Sequence, residues 1–444
     1  MRALERRWSV LLVAGLWVGC GGGSGSGGGA TAANAARDES GSVVVASGGQ
    51  AVTQEAFDHW TKALKAFEQQ DESGQWSAGD CGRIIELFEA ADEAQGGGFA
   101  EAIYMMGVVS QRCGKKDEAL DYFRKALRAN AKFCRARAAL GLHELRNGNR
   151  GKAEQMFRQA IKDDLRCVPA YVNLAIIQRQ KGGSELDEAR RNLRRALAVD
   201  SSYLPAFNEL ALVFMAEAEA GKEQSMDLAE IVCRQAQLLN KDYAPIYNTW
   251  GLIKMRRGDV NEALRFFGKA RELDPSIFEA HMNFGQVTLS FRGYEDALQA
   301  FQKAVELRPD DYDAVIGLGV ALRGLERFDE AEQQYKKAQQ LAPNRPESYF
   351  NLALLYQDYK GGTIQEYETA KRYFDQFLAK AGGNPKYEDA VKAVKRRCRL
   401  DSQGRPRPRS CRPGRLQNIE MALEALREME ALQREANQAA GGGQ

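Results

Sequence analysis

The sequence predicts an all-α fold, a solenoid of stacked helix pairs. Three observations carry that prediction. From Ala100 onward the chain repeats itself with a period of 34 residues or slightly more, the length of one supersecondary unit copied in line. Ala, Leu, Glu, Arg and Gln dominate while Val/Ile/Thr alternation is rare, which favours helix over strand. Small residues also recur at fixed offsets from large ones, as they must where helices approach closely.

Before the repeats, residues 1–20 read as a processing segment. Arg2, Arg6 and Arg7 precede the apolar run Val10–Val18, which ends at Gly19-Cys20. That run is shorter than the ~20 residues a membrane-spanning helix needs. A short signal closing on a small residue and then Cys resembles a bacterial lipoprotein signal, although Trp17 stands where that family usually has Leu. The resemblance implies that Cys20 is acylated and becomes the mature N-terminus; an ordinary cleaved signal is the alternative. Gly21, with no Asp in its place, implies the outer membrane, facing the periplasm. Residues 21–52 open with nine Gly and Ser only and read as a flexible tether. No Gly-Lys-Ser/Thr follows that run, so it is not a phosphate loop. Ordered structure is expected from about Thr53. Residues 53–99 read as a degenerate helical cap, with Phe57, Trp60, Leu64 and Phe67 on one helix and Ile84, Phe88 and Ala91 on a second.

Eight units follow over 100–385. Each has a small residue on its first helix: Gly107, Gly141, Ala175, Ala211, Gly251, Gly285, Gly319 and Ala353. Twelve residues or more later comes an Ala, and four residues beyond it stands Phe123, Phe157, Leu193, Cys233, Phe267, Phe301, Tyr335 or Phe374. Three further on is another Ala in every unit but the last, where Phe377 stands. Pro275, Pro309 and Pro343 close three units. These recurrences resemble the tetratricopeptide repeat. The resemblance implies a right-handed superhelix whose inner groove, lined by the first helices, docks other proteins. It also implies a peptide-binding role for Asn173, Asn283 and Asn351 at the sixth place of their first helices, because an amide can both donate to and accept from an extended backbone. Asn is common at that place in any case, and Met105, Ala139, Glu209, Thr249 and Gly317 break the ladder. Three units carry insertions at their internal turns: Gly182–Ser184, Glu217–Lys222 and Lys360–Thr363.

After the array, residues 386–415 hold eleven Lys or Arg against three Asp or Glu. Lys386–Leu400 reads as a capping helix and the remainder as a Pro-Arg loop. Lys395, Arg396, Arg397, Arg399, Arg405, Arg407, Arg409 and Arg412 form a basic patch that suits an anionic envelope ligand or is simply solvated. Residues 416–444 read as an amphipathic helix with a disordered tail. Leu416, Ile419, Leu423, Leu426, Met429 and Leu432 make its apolar stripe, which docks on the last repeat or on another chain.

Seven cysteines remain besides Cys20. In an exported protein, repeat geometry suggests the pairs Cys81–Cys113 and Cys134–Cys167, while Cys398 and Cys411 flank the Pro-Arg loop. Cys233 replaces a bulky core residue and reads as a buried free thiol. No metal site is expected, because no two cysteines have two-residue spacing and no His accompanies them. His59, His143 and His281 have no partner spacing suited to a catalytic triad. The near-balanced charge, 62 Lys and Arg against 60 Asp and Glu, argues against a nucleic-acid-binding surface. No cofactor is implied, and the 59 residues after the array leave no room for a nucleotide-binding domain. The function expected is therefore a non-enzymatic scaffold with protein partners in an envelope complex, held to the membrane by its lipid. The layout resembles the tetratricopeptide lipoproteins of the myxobacterial adventurous gliding motility machinery. A pilotin-like assembly lipoprotein for a pilus or secretion channel is the alternative.

Overall fold

The computed structural model describes residues 35–37, 41, 43–47, 49–73, 75–400, 403, 406–407 and 411–441. Cys20 and the Gly/Ser run lie outside the described residues, as do Arg405 and Arg409. Structure begins ahead of Thr53, inside the stretch expected to be a tether. Antiparallel bridges join Ala35 to Thr53, Arg37 to Val43 and Val45 to Ala51. Val44 and Val52 are buried together with Ala36 and join the core of the first helices, whereas Val43 and Val45 are only half-buried. That alternation is the strand period, and it prevails locally over the Gly/Ser-rich composition.

Helix α1 (Gln54–Ser73) and helix α2 (Ala78–Ala94) form the cap. A capping box starts α2: the Ser77 hydroxyl accepts from Asp80 N while the Asp80 carboxylate accepts from Ser77 N. Trp60, Phe67 and Phe88 fill the space between the two helices. Five pairs follow in the first compact unit, which ends at Ile277. They are α3 (Ala100–Arg112) with α4 (Lys116–Ala129), α5 (Cys134–Arg146) with α6 (Arg150–Asp163), and α7 (Val168–Lys181) with α8 (Glu185–Val199). Then come α9 (Leu204–Glu219) with α10 (Ser225–Leu239) and α11 (Ala244–Arg256) with α12 (Val260–Leu273). The second unit, from Phe278, holds α13 (Phe278–Ser290) with α14 (Tyr294–Leu307), α15 (Tyr312–Gly324) with α16 (Phe328–Leu341), and α17 (Glu347–Asp358) with α18 (Ile364–Ala381).

Small residues explain the pairing. A Cβ on Gly251 would lie 2.5 Å from Cε1 of Phe267, and one on Gly107 would lie 2.6 Å from Cε1 of Phe123. Each glycine thus makes the floor on which the partner helix lays its ring. Phe123, Phe157, Phe267, Phe301, Tyr335 and Phe374 are almost completely buried, as are the alanines flanking them on the second helices. Gly317 serves the same end from the next pair, since its Cβ would also collide with Phe301. It breaks the expected ladder because the ring needs that space.

Between cap and array, Arg112 Nε donates to Asp71 Oδ1 at 2.7 Å, with both side chains under a tenth exposed. The insertion of the fourth pair is not wholly a turn. It lengthens α9 to Glu219 and buries Glu217, which takes Arg190 at 3.2 Å and the Ser225 hydroxyl at 3.2 Å. After α18 the helix expected to reach Leu400 stops early, as α19 (Glu388–Lys395). Strand β1 (Arg399–Leu400) then pairs antiparallel with β2 (Pro406–Arg407), and the Cys398–Cys411 bridge closes that loop. Finally α20 (Arg415–Gly441) docks in cis on α18: Ile419 and Leu423 are buried against Phe374 and Phe377. Met429 and Leu432, farther along the same stripe, stay exposed. Among the described residues, no helix is long and apolar enough to cross a membrane.

Candidate interaction groove

Within each unit the first helices of successive pairs touch one another, α5 with α7, α7 with α9 and α9 with α11, then α13 with α15 and α15 with α17. The second helices pack chiefly on first helices. A stack with this pattern curves with its first helices inside, so their second, fifth and sixth places face inward.

In the first unit the inner face is polar and crowded. Glu101 and Tyr104 come from α3, Arg135 from α5, Asn173 and Arg179 from α7, and Asn208 and Glu209 from α9. Tyr203 and Tyr243 stand immediately before α9 and α11. Arg179 Nε donates to Glu209 at 3.1 Å. Burial pushes the Glu209 carboxyl up and the arginine opposes it. Burial likewise pushes the Arg135 guanidinium down, against the fields of Tyr104, Glu101, Asp164 and Tyr203. Tyr203 and Tyr243 are each raised well above the ordinary phenol value, foremost by burial. Residues from four successive pairs therefore share one low-dielectric space.

The three asparagines differ. Asn173 is buried and makes no side-chain hydrogen bond to another described residue. Its neighbour in register, Asn208, accepts from the Thr249 hydroxyl at 2.7 Å. In the second unit Asn351 is committed to its own chain: Nδ2 donates to Glu347 O at 2.9 Å and Oδ1 accepts from Arg323 at 3.2 Å. Asn283 is half-buried on α13. Asn173 thus lies in one unit and the other two lie in the second. Sequence reasoning missed Arg135, Tyr203 and Tyr243. Their signal was positional, an Arg at the second place of a first helix and Tyr directly ahead of two first helices.

The second unit's inner carboxylates are neutralised. Arg308 reaches Glu279 at 2.7 Å, Arg345 holds Asp313 through two nitrogens at 2.7 and 3.1 Å, and Lys386 reaches Glu347 at 2.8 Å. Burial raises Glu347, but hydrogen bonds from Lys386, Arg345 and Tyr387 outweigh it and hold the carboxyl at about 2. Arg308 and Arg345 also lie over Phe278 and Tyr312, at 3.9 and 3.8 Å from the ring centres.

Elsewhere, Cys81 is joined to Cys113 and Cys134 to Cys167, with Cα separations of 6.2 and 6.0 Å. Cys233 is free and buried. Lys395, Arg396, Arg397, Arg399, Arg407 and Arg412 are exposed, and Arg397 is paired with Glu420. Of the histidines, His59 is exposed, His143 faces Asn147 at 2.9 Å, and His281 is buried. Among the described residues, no three His, Cys, Asp or Glu are gathered to hold a metal.

Paired helices stacked in succession define a helical-repeat solenoid. Tetratricopeptide-repeat family models match residues 100–133, 138–182 and 284–346, so the chain carries tetratricopeptide repeats. Such repeats generally mediate protein–protein contacts and are typically not enzymes. No curated protein matches the chain significantly in sequence. Among solved structures, the chain is similar to a thermophilic tetratricopeptide protein of Thermus thermophilus, with 22% identity over 43% of this chain and 99% of that one, TM-score 0.39. It is similar to pilF of Pseudomonas aeruginosa at 22% identity over 50% of this chain and 96% of that one, TM-score 0.41. Yeast Tom70 is 15% identical over 76% of this chain and 68% of its own, TM-score 0.45.

Proposed function

We propose that the chain is a non-enzymatic scaffold whose inner face, in the first unit, holds an extended segment of a protein partner. Asn173 carries this reading. Its amide is buried on the inner face yet uncommitted to any other described residue, whereas a buried polar group ordinarily finds a partner. Tyr243 supports it, with a buried hydroxyl that has no hydrogen-bond partner among the described residues. Groups held open on a rigid stack are preorganised, so a partner loses less entropy on docking. Cross-linking in intact cells, followed by identification of neighbours, tests the reading. A double Asn173→Ala, Tyr243→Phe protein with unchanged melting should lose the cross-linked partner, and unchanged cross-links would refute the groove.

The scaffold's setting is inferred from the sequence. The leader ending at Cys20 supports an acylated outer-membrane anchor facing the periplasm, and the layout supports a place in a gliding motility complex. A Cys20→Ser protein that stays with the membrane fraction would refute the anchor. The exposed Arg and Lys around 395–412 suit an anionic envelope ligand. A pilotin-like assembly role instead predicts lost pilin multimers on deletion, where a scaffold predicts stable co-purification of the complex.

A further inference from the structure

Four inner first-helix positions carry a carboxylate at the second place: Glu101, Glu279, Asp313 and Glu347. Three of them have a cation within ion-pair distance, namely Arg308, Arg345 and Lys386 respectively. Glu101 has none at that distance among the described residues, although its field reaches the buried Arg135 guanidinium of the next first helix. It is 5% exposed, and its Oε1 accepts from both the backbone N and the hydroxyl of Ser47, at 2.7 and 2.5 Å. Its Oε2 is buried with no hydrogen-bond partner among the described residues. Arg308 stands 29 residues after Glu279. The equivalent place after Glu101 is Asn130, whose Nδ2 is likewise buried and without a hydrogen-bond partner among the described residues. The repeat's own ion pair is therefore missing at this rung, and a donor and an acceptor are left open there.

A buried carboxylate with an unmet oxygen is costly unless a donor arrives. Placement on the inner face says where that donor comes from. Resting on the groove reading above, we infer that Glu101 anchors a subsite for a cationic group of the docked segment, a Lys or Arg side chain, taken at Oε2. Ser47, at the tip of the N-terminal strands, holds Oε1 and so orients the carboxylate. A bidentate or charge-assisted bond there is among the stronger contacts a groove can offer.

Two measurements test this. In the first, Glu101→Gln keeps an acceptor for Ser47 and removes the charge. The unliganded variant should melt above wild type, whereas Glu347→Gln, which breaks an existing pair, should melt below it. A Glu101→Gln protein that melts lower would overturn the subsite. In the second, random peptides displayed on phage are selected on wild type and on Glu101→Gln. Wild type should enrich Lys or Arg at one fixed position, and chosen peptides should bind the variant about tenfold more weakly. Peptides that depend on Asn173 and Tyr243 but show no such enrichment would overturn the subsite and leave the groove standing. Selected peptides indifferent to Asn173 and Tyr243 would overturn the groove itself.

Discussion

Gly251→Ala adds one methyl group to the inner helix of the fifth pair. Its Cβ would meet three atoms of one ring: Cε1 of Phe267 at 2.5 Å, Cδ1 at 2.6 Å and Cζ at 3.0 Å. Carbon atoms rest at roughly 3.5–4.0 Å, so the ring must retreat by about 1 Å. Phe267 is completely buried and has nowhere to go. Ala gains ~1 kcal/mol over Gly in a helix interior, while overpacking costs ~1–3 kcal/mol. An overlap with three ring atoms belongs at the upper end, which leaves a net loss of ~2 kcal/mol. At Gly285 the nearest atom of Phe301 is 2.9 Å away, so the same change there should be milder. Two pairs already contain a compensated version, Ala175 with Leu193 and Ala211 with Cys233, while the last pair sets Ala353 beside Phe374. Gly251→Ala with Phe267→Leu should therefore be more stable than the two single losses imply, by a coupling of ~1–2 kcal/mol. Urea melts of wild type, both singles and the double variant close the cycle. A Gly251→Ala protein as stable as wild type, or strictly additive losses, would refute the packing argument.

Three further outcomes are expected. Burial pushes the Glu332 carboxyl up, but hydrogen bonds from Lys336, Lys360 and Tyr356 outweigh it and hold it at about 2, below its unfolded value of 4.5. That stabilisation is complete above pH 4.5 and is lost as pH falls to about 2, so the gap between wild type and Glu332→Gln should shrink by on the order of 3 kcal/mol; a gap independent of pH would count against it. Asp71→Ala removes one side of a buried ion pair and should cost ~3–5 kcal/mol, read as early melting and faster proteolysis of the cap. The Cys233 thiol, pushed well up by burial, should resist iodoacetamide in the native protein and react only on unfolding; rapid native alkylation would contradict its burial.

Much of the fold was legible because close packing leaves few choices. Gly107, Gly251 and Gly319 must be small, and the rings opposite must be large, so their spacing spells out the helix pairs. Charge partners were not legible in the same way. Asn351 looks like Asn173 in the repeat, yet Arg323 from the preceding pair claims it, and only three-dimensional neighbours reveal that. Glu101 was hidden for a related reason, since its partner Ser47 sits on strands masked by a Gly/Ser-rich composition. The early end of α19 likewise follows from a loop pinned at Cys398 and Cys411 and paired through Pro406, a constraint that helix propensity over 386–400 does not carry.

Two of the cross-links tie one helix pair to the next, Cys81 with Cys113 and Cys134 with Cys167. A solenoid pulled by its ends unspools pair by pair, because each pair is held chiefly by its neighbours. Covalent staples forbid that sequence within 81–113 and 134–167, while α4 between them and the pairs from α9 to α18 carry no staple. Under tension the chain would therefore pay out length from its unstapled pairs and keep the spans 81–113 and 134–167 closed, behaving as a leash with two knots that outlast the slack.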